Sequence, residues 1–165
     1  LNSSIQAATE NAAIAPVKRI LDEAIECVRP LCEQKGLRIQ MDDGMPRCYA
    51  DQVRLREACH NLLSNAVKFM NRDDGLIKIS LQEEGDTMLL SIEDNGPGIP
   101  SSERERIFAP FHRISRDRGK SGSGLGLYFT KQLVEQFGGK IWVDTEFEQG
   151  TKFYVRFPKR VEPDK

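Results

Sequence analysis

Residues 61–69 have the sequence Asn61-Leu62-Leu63-Ser64-Asn65-Ala66-Val67-Lys68-Phe69, which predicts a helix with two different faces. Residues three or four apart share one face of a helix. The apolar face carries Leu55, Cys59, Leu62, Ala66 and Phe69, and the polar face carries Glu57, Asn61, Asn65 and Lys68. Asparagine costs roughly 0.5 kcal/mol or more relative to alanine inside a helix. Two asparagines one turn apart in an apolar segment therefore need an explanation.

Two interpretations explain the asparagine pair. Asn61 and Asn65 could cap or bridge neighbouring backbone. Alternatively, they could be oxygen ligands for magnesium, with Lys68 beside a phosphate. Magnesium prefers oxygen donors and keeps several waters, so one or two side-chain amides are enough. The helix alone does not choose between these interpretations.

A second stretch, Asp94-Asn95-Gly96-Pro97-Gly98-Ile99, directly follows a predicted strand. Gly96 and Gly98 would allow a tight turn and the close approach of a flat ligand. The Asp94 carboxylate could accept a hydrogen bond from an amine such as the adenine 6-amino group. The alternative is an ordinary Asx-type turn, since Asn-Gly and Pro-Gly are common turn pairs. Taken alone, this stretch favours the ordinary turn.

A third stretch, Gly122-Ser123-Gly124-Leu125-Gly126-Leu127, precedes and opens a predicted helix. Glycines before a helix N-terminus leave backbone N–H groups available for phosphate oxygens. The preceding segment, residues 112–123, is glycine-rich and without periodicity, and it carries the cations Arg113, Arg116, Arg118 and Lys120. The alternative is a solvated hinge loop without a ligand, because a lone glycine cluster is weak evidence.

The remaining pattern predicts an α/β fold. Long helices are expected at residues 17–35, ended by Gly36, at residues 52–70, with Asp51 as N-cap, and at residues 124–137. A short helix is expected from Ser101 or Ser102 to Ile107. Strands are expected at residues 37–41, 48–50, 75–83, 87–93, 140–145 and 151–157. Because most of these strands form hairpins, we expect a two-layer sandwich: a mixed, mostly antiparallel sheet with the three long helices on one face.

Composition narrows the functional classes. The 165 residues are 39% hydrophobic and 30% charged, which suits a single globular domain. The net charge of −1 gives no indication of binding to nucleic acid or to an anionic membrane. The four cysteines lack zinc-ligand spacing and are interpreted as reduced, packed thiols. Residues 1–13 are polar and alanine-rich, which predicts a linker, and a chain that starts at Leu1 is expected to be part of a longer protein.

Together the three stretches resemble the catalytic ATP-binding domain of sensor histidine kinases, from about Val17 to Pro158. In family order they match the N box, the first glycine box and the second glycine box. Ile107-Phe108-Ala109-Pro110-Phe111 matches the F box, and the segments 138–143 and 150–153 match the closing strands. The resemblance implies the Bergerat-type fold of gyrase, heat-shock chaperone and mismatch-repair ATPases, with ATP and Mg²⁺ as cofactors.

The resemblance also implies residue roles. Asn65, helped by Asn61, would hold the magnesium, and Lys68 would contact phosphate. The base pocket would be formed by Phe69, Asp94, Gly96, Gly98, Ile99 and Thr151, with Asp94 on the adenine amine and Thr151 on a water. Residues 112–123 would form a lid, and phosphate contacts would come from Arg113, Lys120, Ser123, Gly124, Leu125, Gly126 and Leu127. Asn61, Lys68 and Arg113 are the candidate catalytic residues.

Three positions depart from the commonest family pattern, namely Met70, Ala109 and His112, and none of them removes a ligand. A complete histidine kinase also has a phosphoacceptor histidine on a dimerising helical hairpin. The two histidines here, His60 and His112, lack that context. We therefore expect residues 14–160 to be the catalytic domain, residues 1–13 a linker from an absent dimerisation domain, and residues 161–165 a tail.

The expected activity is transfer of the ATP γ-phosphate to a histidine of that dimerisation domain, in two-component signal transduction. A response regulator would be an indirect partner, nucleic acid and membrane would not be partners, and the domain would be a cytoplasmic monomer. One alternative is a serine kinase of the anti-sigma type on the same fold. The other is a module that binds nucleotide or partners without turnover.

Overall fold

The computed structural model describes residues 13–112 and 126–162. The helices in these ranges are α1 (Val17–Lys35), α2 (Gln52–Phe69) and α3 (Gly126–Gln136). The strands are β1 (Ile14–Pro16), β2 (Arg38–Met41), β3 (Tyr49–Asp51), β4 (Leu76–Glu84), β5 (Thr87–Asp94), β6 (Lys140–Val143) and β7 (Thr151–Pro158). No helix in these two ranges is both long and apolar enough to cross a membrane.

Five strands form one mixed sheet in the order β2-β4-β5-β7-β6. The β2–β4 pair is parallel, whereas β4–β5, β5–β7 and β6–β7 are antiparallel. The predicted α/β fold with a mixed, mostly antiparallel sheet is confirmed. The register pairs Asp94, the last residue of β5, with Thr151, the first residue of β7. Two chain segments that are far apart in sequence therefore meet at one end of the sheet.

The core lies between the sheet and the helices. Alternate residues of β5, namely Met88, Leu90 and Ile92, are buried, as are Phe153, Val155 and Phe157 of β7. On β4 the intervening residues Lys78 and Gln82 are exposed, so this sheet has one apolar and one solvated face. The helices bring their own apolar stripes to the core, and α1 and α3 both pack against α2.

The ends of α1 and α2 follow the predicted local chemistry. Gly36 adopts a left-handed conformation with φ of 63° and ends α1. The Asp51 side chain accepts a hydrogen bond from the backbone N–H of Arg54 at 2.9 Å, as expected of an N-cap. These signals fix where α2 starts, and hence the rotation of its polar face.

Two features differ from the sequence expectation. The pattern did not predict β1, which pairs with β3 in a separate antiparallel sheet. The short helix predicted from Ser101 or Ser102 to Ile107 is wrong, because this segment is a series of turns. Their backbone bonds run to the third preceding residue, for example Glu103 N–H to Pro100 O and Arg106 N–H to Glu103 O, both at 2.9 Å.

Candidate functional site

Asp94 occupies the end of β5, where its carboxylate is held by backbone groups. One carboxylate oxygen accepts the N–H of Gly96 at 2.8 Å, and the N–H of Thr151 also bonds to this side chain. Burial raises the pKa of Asp94 to about 6, and the two N–H groups oppose that shift because they favour the ionised form. Asp94 is thus a preoriented acceptor at the sheet end.

The backbone around Asp94 is crowded, and two glycines make this possible. Gly150 has φ of 154°, and a Cβ on it would lie 1.9 Å from the carbonyl oxygen of Asp94. Gly98 has φ of 74°, and a Cβ there would lie 2.9 Å from the carbonyl oxygen of Gly150. The strands and residues 94–99, which we call the glycine turn, can approach one another only because these positions lack side chains.

The neighbouring Asn95 has a structural role that the sequence did not reveal. Its side-chain oxygen accepts the N–H of Leu76 at 2.8 Å, and its amide nitrogen donates to the carbonyl of Asp74 at 3.0 Å. Its own N–H donates to the carbonyl of Leu76 at 3.2 Å. Asn95 therefore ties the glycine turn to the start of β4. An Asn-Gly pair suggested only a local turn, and nothing local indicated this non-local partner.

The polar face of α2 presents its functional side chains from one side of a helix, not from a turn. Its members Asn61, Asn65 and Lys68 are half-buried, and they lie on one helix face as predicted. Among the residues that the structure describes, neither asparagine side chain has a hydrogen-bond partner. The capping or bridging interpretation of the pair thus has no support in these ranges. Two amide oxygens one turn apart are suitable donors for a hard cation.

The end of α2 is fixed from outside the helix. The Lys35 ammonium donates to the carbonyls of Val67 at 2.6 Å and Lys68 at 3.1 Å, and so satisfies two terminal carbonyls. The Lys68 ammonium lies 5.0 Å from the centre of the half-buried Phe69 ring. Sequence reasoning missed Lys35, whose only local signal is a cation in the last turn of α1.

Met70 connects α2 to the glycine turn. Its buried side chain lies where a Cβ of Gly75 would fall, at 2.8 Å, and its sulfur is 3.9 Å from the position of a Cβ on Gly96. The end of α2, with Phe69, therefore lies beside the turn that holds Asp94. The structure brings Asp94, Gly96, Gly98 and Thr151 into one cluster and places α2 at its border.

The third predicted stretch is described only from Gly126. Gly126 opens α3, and its carbonyl accepts the Thr130 hydroxyl at 2.7 Å, while Leu127 packs against the core. The other predicted residues of the lid and phosphate loop lie outside the described residues, namely Arg113, Lys120, Ser123, Gly124 and Leu125. Within the described ranges no three or more histidine, cysteine, aspartate or glutamate side chains lie together in a group that could hold a metal ion.

Both histidines have protein partners. His60 Nε2 lies 3.4 Å from the Ser64 hydroxyl, one turn further along α2. His112 Nε2 lies 2.5 Å from a carboxylate oxygen of Glu103. Each is thus involved in a local contact of its own segment.

Comparison with known proteins gives consistent matches. Residues 50–161 match the family described as histidine kinase-, DNA gyrase B- and HSP90-like ATPase. The chain is 34% identical over 160 residues to the adaptive-response sensory kinase SasA of Synechocystis sp., covering 96% of this chain and 41% of that protein. It is 37% identical over 123 residues to the alginate biosynthesis sensor protein KinB of Pseudomonas aeruginosa, covering 74% of this chain and 20% of that protein. The chain therefore spans less than half the length of these relatives.

Solved structures are similar as well. The mycobacterial sensor histidine kinase MprB superposes with a TM-score of 0.76 at 29% identity, over 90% of this chain and 98% of that chain. Full-length ShkA, solved in complex with AMPPNP, gives a TM-score of 0.78 at 29% identity, over 98% of this chain and 34% of that chain. The fold of this chain is thus that of histidine kinase catalytic domains.

Proposed function

The chain belongs to the family of histidine kinase-, DNA gyrase B- and HSP90-like ATPases, and on that basis we propose that it binds Mg-ATP and supplies the γ-phosphate for phosphorylation of a histidine on another domain. The observation that carries this proposal is the Asp94 carboxylate, which two backbone N–H groups hold at the end of the sheet. The similarity to sensor and sensory kinases favours a histidine acceptor over a serine acceptor.

The Asp94 carboxylate indicates where the nucleotide base would bind. When ionised, a carboxylate can only accept hydrogen bonds. It therefore suits the 6-amino group of adenine and repels the carbonyl that guanine carries at that position. Gly96 and Thr151 donate backbone hydrogen bonds to the Asp94 carboxylate, and together with Gly98 and Ile99 they would shape the pocket. Phe69, at the end of α2, would add an apolar wall.

The phosphate side follows from α2 and α3. The amide oxygens of Asn65 and Asn61 have no described protein partner and would hold magnesium, which neutralises phosphate charge when bound. Lys68 would contact a phosphate. The N-terminus of α3, with Gly126 and Leu127, would direct backbone N–H groups at phosphate oxygens. Arg113, Lys120, Ser123, Gly124 and Leu125, which lie outside the described residues, would complete this side.

Phosphoryl transfer requires mainly positioning and charge stabilisation from the protein. Asn61, Lys68 and Arg113 are the residues that we assign to those tasks. His60 lies 3.4 Å from the Ser64 hydroxyl on α2, and His112 contacts Glu103. We therefore place the acceptor histidine on a dimerisation domain of the same parent protein, reached through residues 1–13, with a response regulator receiving the phosphate afterwards.

Isotopic labelling tests the proposal. The chain is incubated with γ-labelled Mg-ATP, alone and with a separately produced dimerisation domain that carries the acceptor histidine. Acid-labile label is expected on the added domain only, and the Asp94→Asn variant should abolish most of it. Label on His60 or His112 of the chain alone would contradict the assignment, as would base-labile serine phosphate on the added protein. Nucleotide binding without transfer to any acceptor would favour a module without turnover.

A further inference from the structure

Arg104 lies in the turns that follow the glycine turn, and it joins two loops. Its Nε–H donates to the carbonyl of Ile99 at 3.2 Å. A terminal N–H of the same guanidinium donates to the carbonyl of Thr145, in the loop between β6 and β7. The side chain is half-buried between them. One residue thus links the end of the glycine turn to a loop 41 residues further along the chain.

Arg104 is the donor that the described residues offer to these two carbonyls. Within the described ranges, no loop or turn backbone N–H bonds to the carbonyl of Ile99 or of Thr145. Arginine presents several N–H donors in a rigid planar fork, so it can bridge two acceptors with one orientation. A lysine at this position has a compact ammonium on a flexible stem and would not fix both loops in one geometry.

The loop between β6 and β7, which Arg104 contacts at Thr145, ends at the residues that contact Asp94. It continues from Thr145 to Gly150, whose backbone meets Asp94 and Gly98, and to Thr151, whose N–H bonds to the Asp94 carboxylate. The loop therefore touches the glycine turn at two places. One is the glycine contact beside Asp94, and the other is the Arg104 bridge to Ile99. With both contacts in place, Asp94 and Ile99 are held in a fixed position relative to each other. In the proposed pocket, Asp94 is the acceptor and Ile99 is part of the wall.

We propose that Arg104 is a positioning residue that sets base selectivity, because it holds Ile99 and the Thr145–Thr151 loop in the geometry that aims Asp94 at the base. The inference rests on the proposed nucleotide site. Arg104 itself touches neither phosphate nor base in this proposal. Its loss should therefore affect recognition of the 6-amino group more than it affects the charge of the site.

The test compares two nucleotides. ATP and inosine triphosphate differ at the 6-position, where the second carries a carbonyl in place of the amine. Calorimetry with magnesium measures both affinities for the parent chain, Arg104→Met, Arg104→Lys and the control Arg106→Met. Arg106 is exposed, lies two residues away in the same segment, and forms no described side-chain hydrogen bond. Melting temperatures are recorded for all four.

The expected result is a loss of about 3- to 30-fold in ATP affinity for Arg104→Met, with a smaller loss for Arg104→Lys. The ATP preference over inosine triphosphate should shrink in the same order, and Arg106→Met should match the parent. A lower melting temperature with parent-like affinity and preference would overturn the proposal and leave Arg104 a purely structural residue.

Three outcomes separate a failure of this inference from a failure of the proposed function. If Arg104→Met does not fold, Arg104→Lys decides the matter, and a parent-like preference in that variant overturns the proposal. If the parent chain binds neither nucleotide, the proposed function itself fails, and the inference fails with it. Parent binding with an unaffected Arg104→Met would instead reject the inference alone.

Discussion

The glycine turn and the polar face of α2 both present polar groups, but they hold these groups in different ways. Asp94 is fixed by two backbone N–H groups, and Asn95 ties the same turn to β4. Asn61 and Asn65 are carried by a rigid helix, yet their amides have no partner among the described residues. Protein groups orient the acceptor of the first region, whereas the two amides of the second remain accessible to water or to a ligand.

The difference indicates how each region would act on a nucleotide. A preoriented acceptor binds without reorganisation and discriminates between bases by geometry. Amide oxygens without protein partners can take a hydrated cation, whose remaining waters and phosphates complete its coordination. We infer that selectivity for the base is built into the fold, whereas the phosphate side is completed by magnesium and the nucleotide.

The largest expected effect comes from disturbing the crowded backbone around Asp94. In Gly150→Ala the new Cβ would lie 1.9 Å from the Asp94 carbonyl oxygen, on backbone with φ of 154°. Both strands must then separate, so we expect a destabilisation of at least about 2 kcal/mol and a loss of ATP affinity of more than about 100-fold. Thermal melts and calorimetry measure the two effects.

The matched control is Gly85→Ala, at the tip of the β4–β5 hairpin. Gly85 also has positive φ, 60°, but no atom lies within 4 Å of its added Cβ. This variant should lose about 1 kcal/mol of stability and bind ATP like the parent. Equal behaviour of the two variants would mean that strain, and not the contact with Asp94, explains the requirement for glycine.

The next effect concerns the acceptor itself. Asp94→Asn keeps the shape but replaces one oxygen with a donor, so a charged hydrogen bond worth roughly 1.5–3 kcal/mol is lost. ATP should bind about 10- to 150-fold more weakly, and its preference over GTP should fall. Glu93→Gln, one residue earlier on the same strand, is the charge-matched control and should bind normally. Unchanged affinity in Asp94→Asn would make Asp94 only a turn residue.

The sequence predicted regions with local signals well. α1 begins and ends where its apolar periodicity and Gly36 indicated, and Asp51 caps α2 as expected. What it could not supply was pairing between distant segments. The three residues of β1 are too few for a periodic signal, and the need for Gly150 appears only once the register places Thr151 opposite Asp94. The lysine and arginine contacts of Lys35 and Arg104 have the same non-local origin.

The same distinction between local signals and pairing of distant segments applies to the predicted site. The stripe of Asn61, Asn65 and Lys68 was readable because three- and four-residue spacing fixes a helix face. Asp94 and Thr151 meet only through the sheet register, and the glycine at 98 is explained by the close backbone of Gly150. The assignment of magnesium, phosphate and base to these residues remains a prediction.

A smaller effect is expected from a substitution on the polar face of α2. Asn65→Ala removes one proposed magnesium ligand, and ATP affinity with magnesium should fall by about 10-fold, while affinity in the presence of a chelator should stay constant. Because alanine favours the helix more than asparagine does, the apo variant should gain roughly 0.5 kcal/mol of stability. Calorimetry with and without magnesium, together with melts, separates the two changes. Unaltered magnesium dependence would make the asparagine face structural.

The smallest expected effect is a pH dependence, and it has opposite signs for binding and for stability. The pKa of Asp94 is raised to about 6, so at pH 5.5 about a quarter of the folded chain carries the ionised acceptor. ATP affinity should thus fall by about 4-fold between pH 7.5 and pH 5.5. Burial disfavours the charged form, so the contribution of Asp94 to stability should grow as pH falls from about 6 towards its unfolded pKa near 4, and be lost as pH rises through 6.

Asp94→Asn is the control for this pH dependence, because it removes the titrating group but leaves the protonation of the ATP phosphates in place. Calorimetric titrations and thermal melts of both proteins over pH 5.5–7.5 provide the data. The parent should show the extra loss of affinity and the extra gain of stability on acidification, and the variant should show neither. Parallel curves for the two proteins would mean that Asp94 titrates outside this range, and that a fully ionised acceptor faces the base throughout.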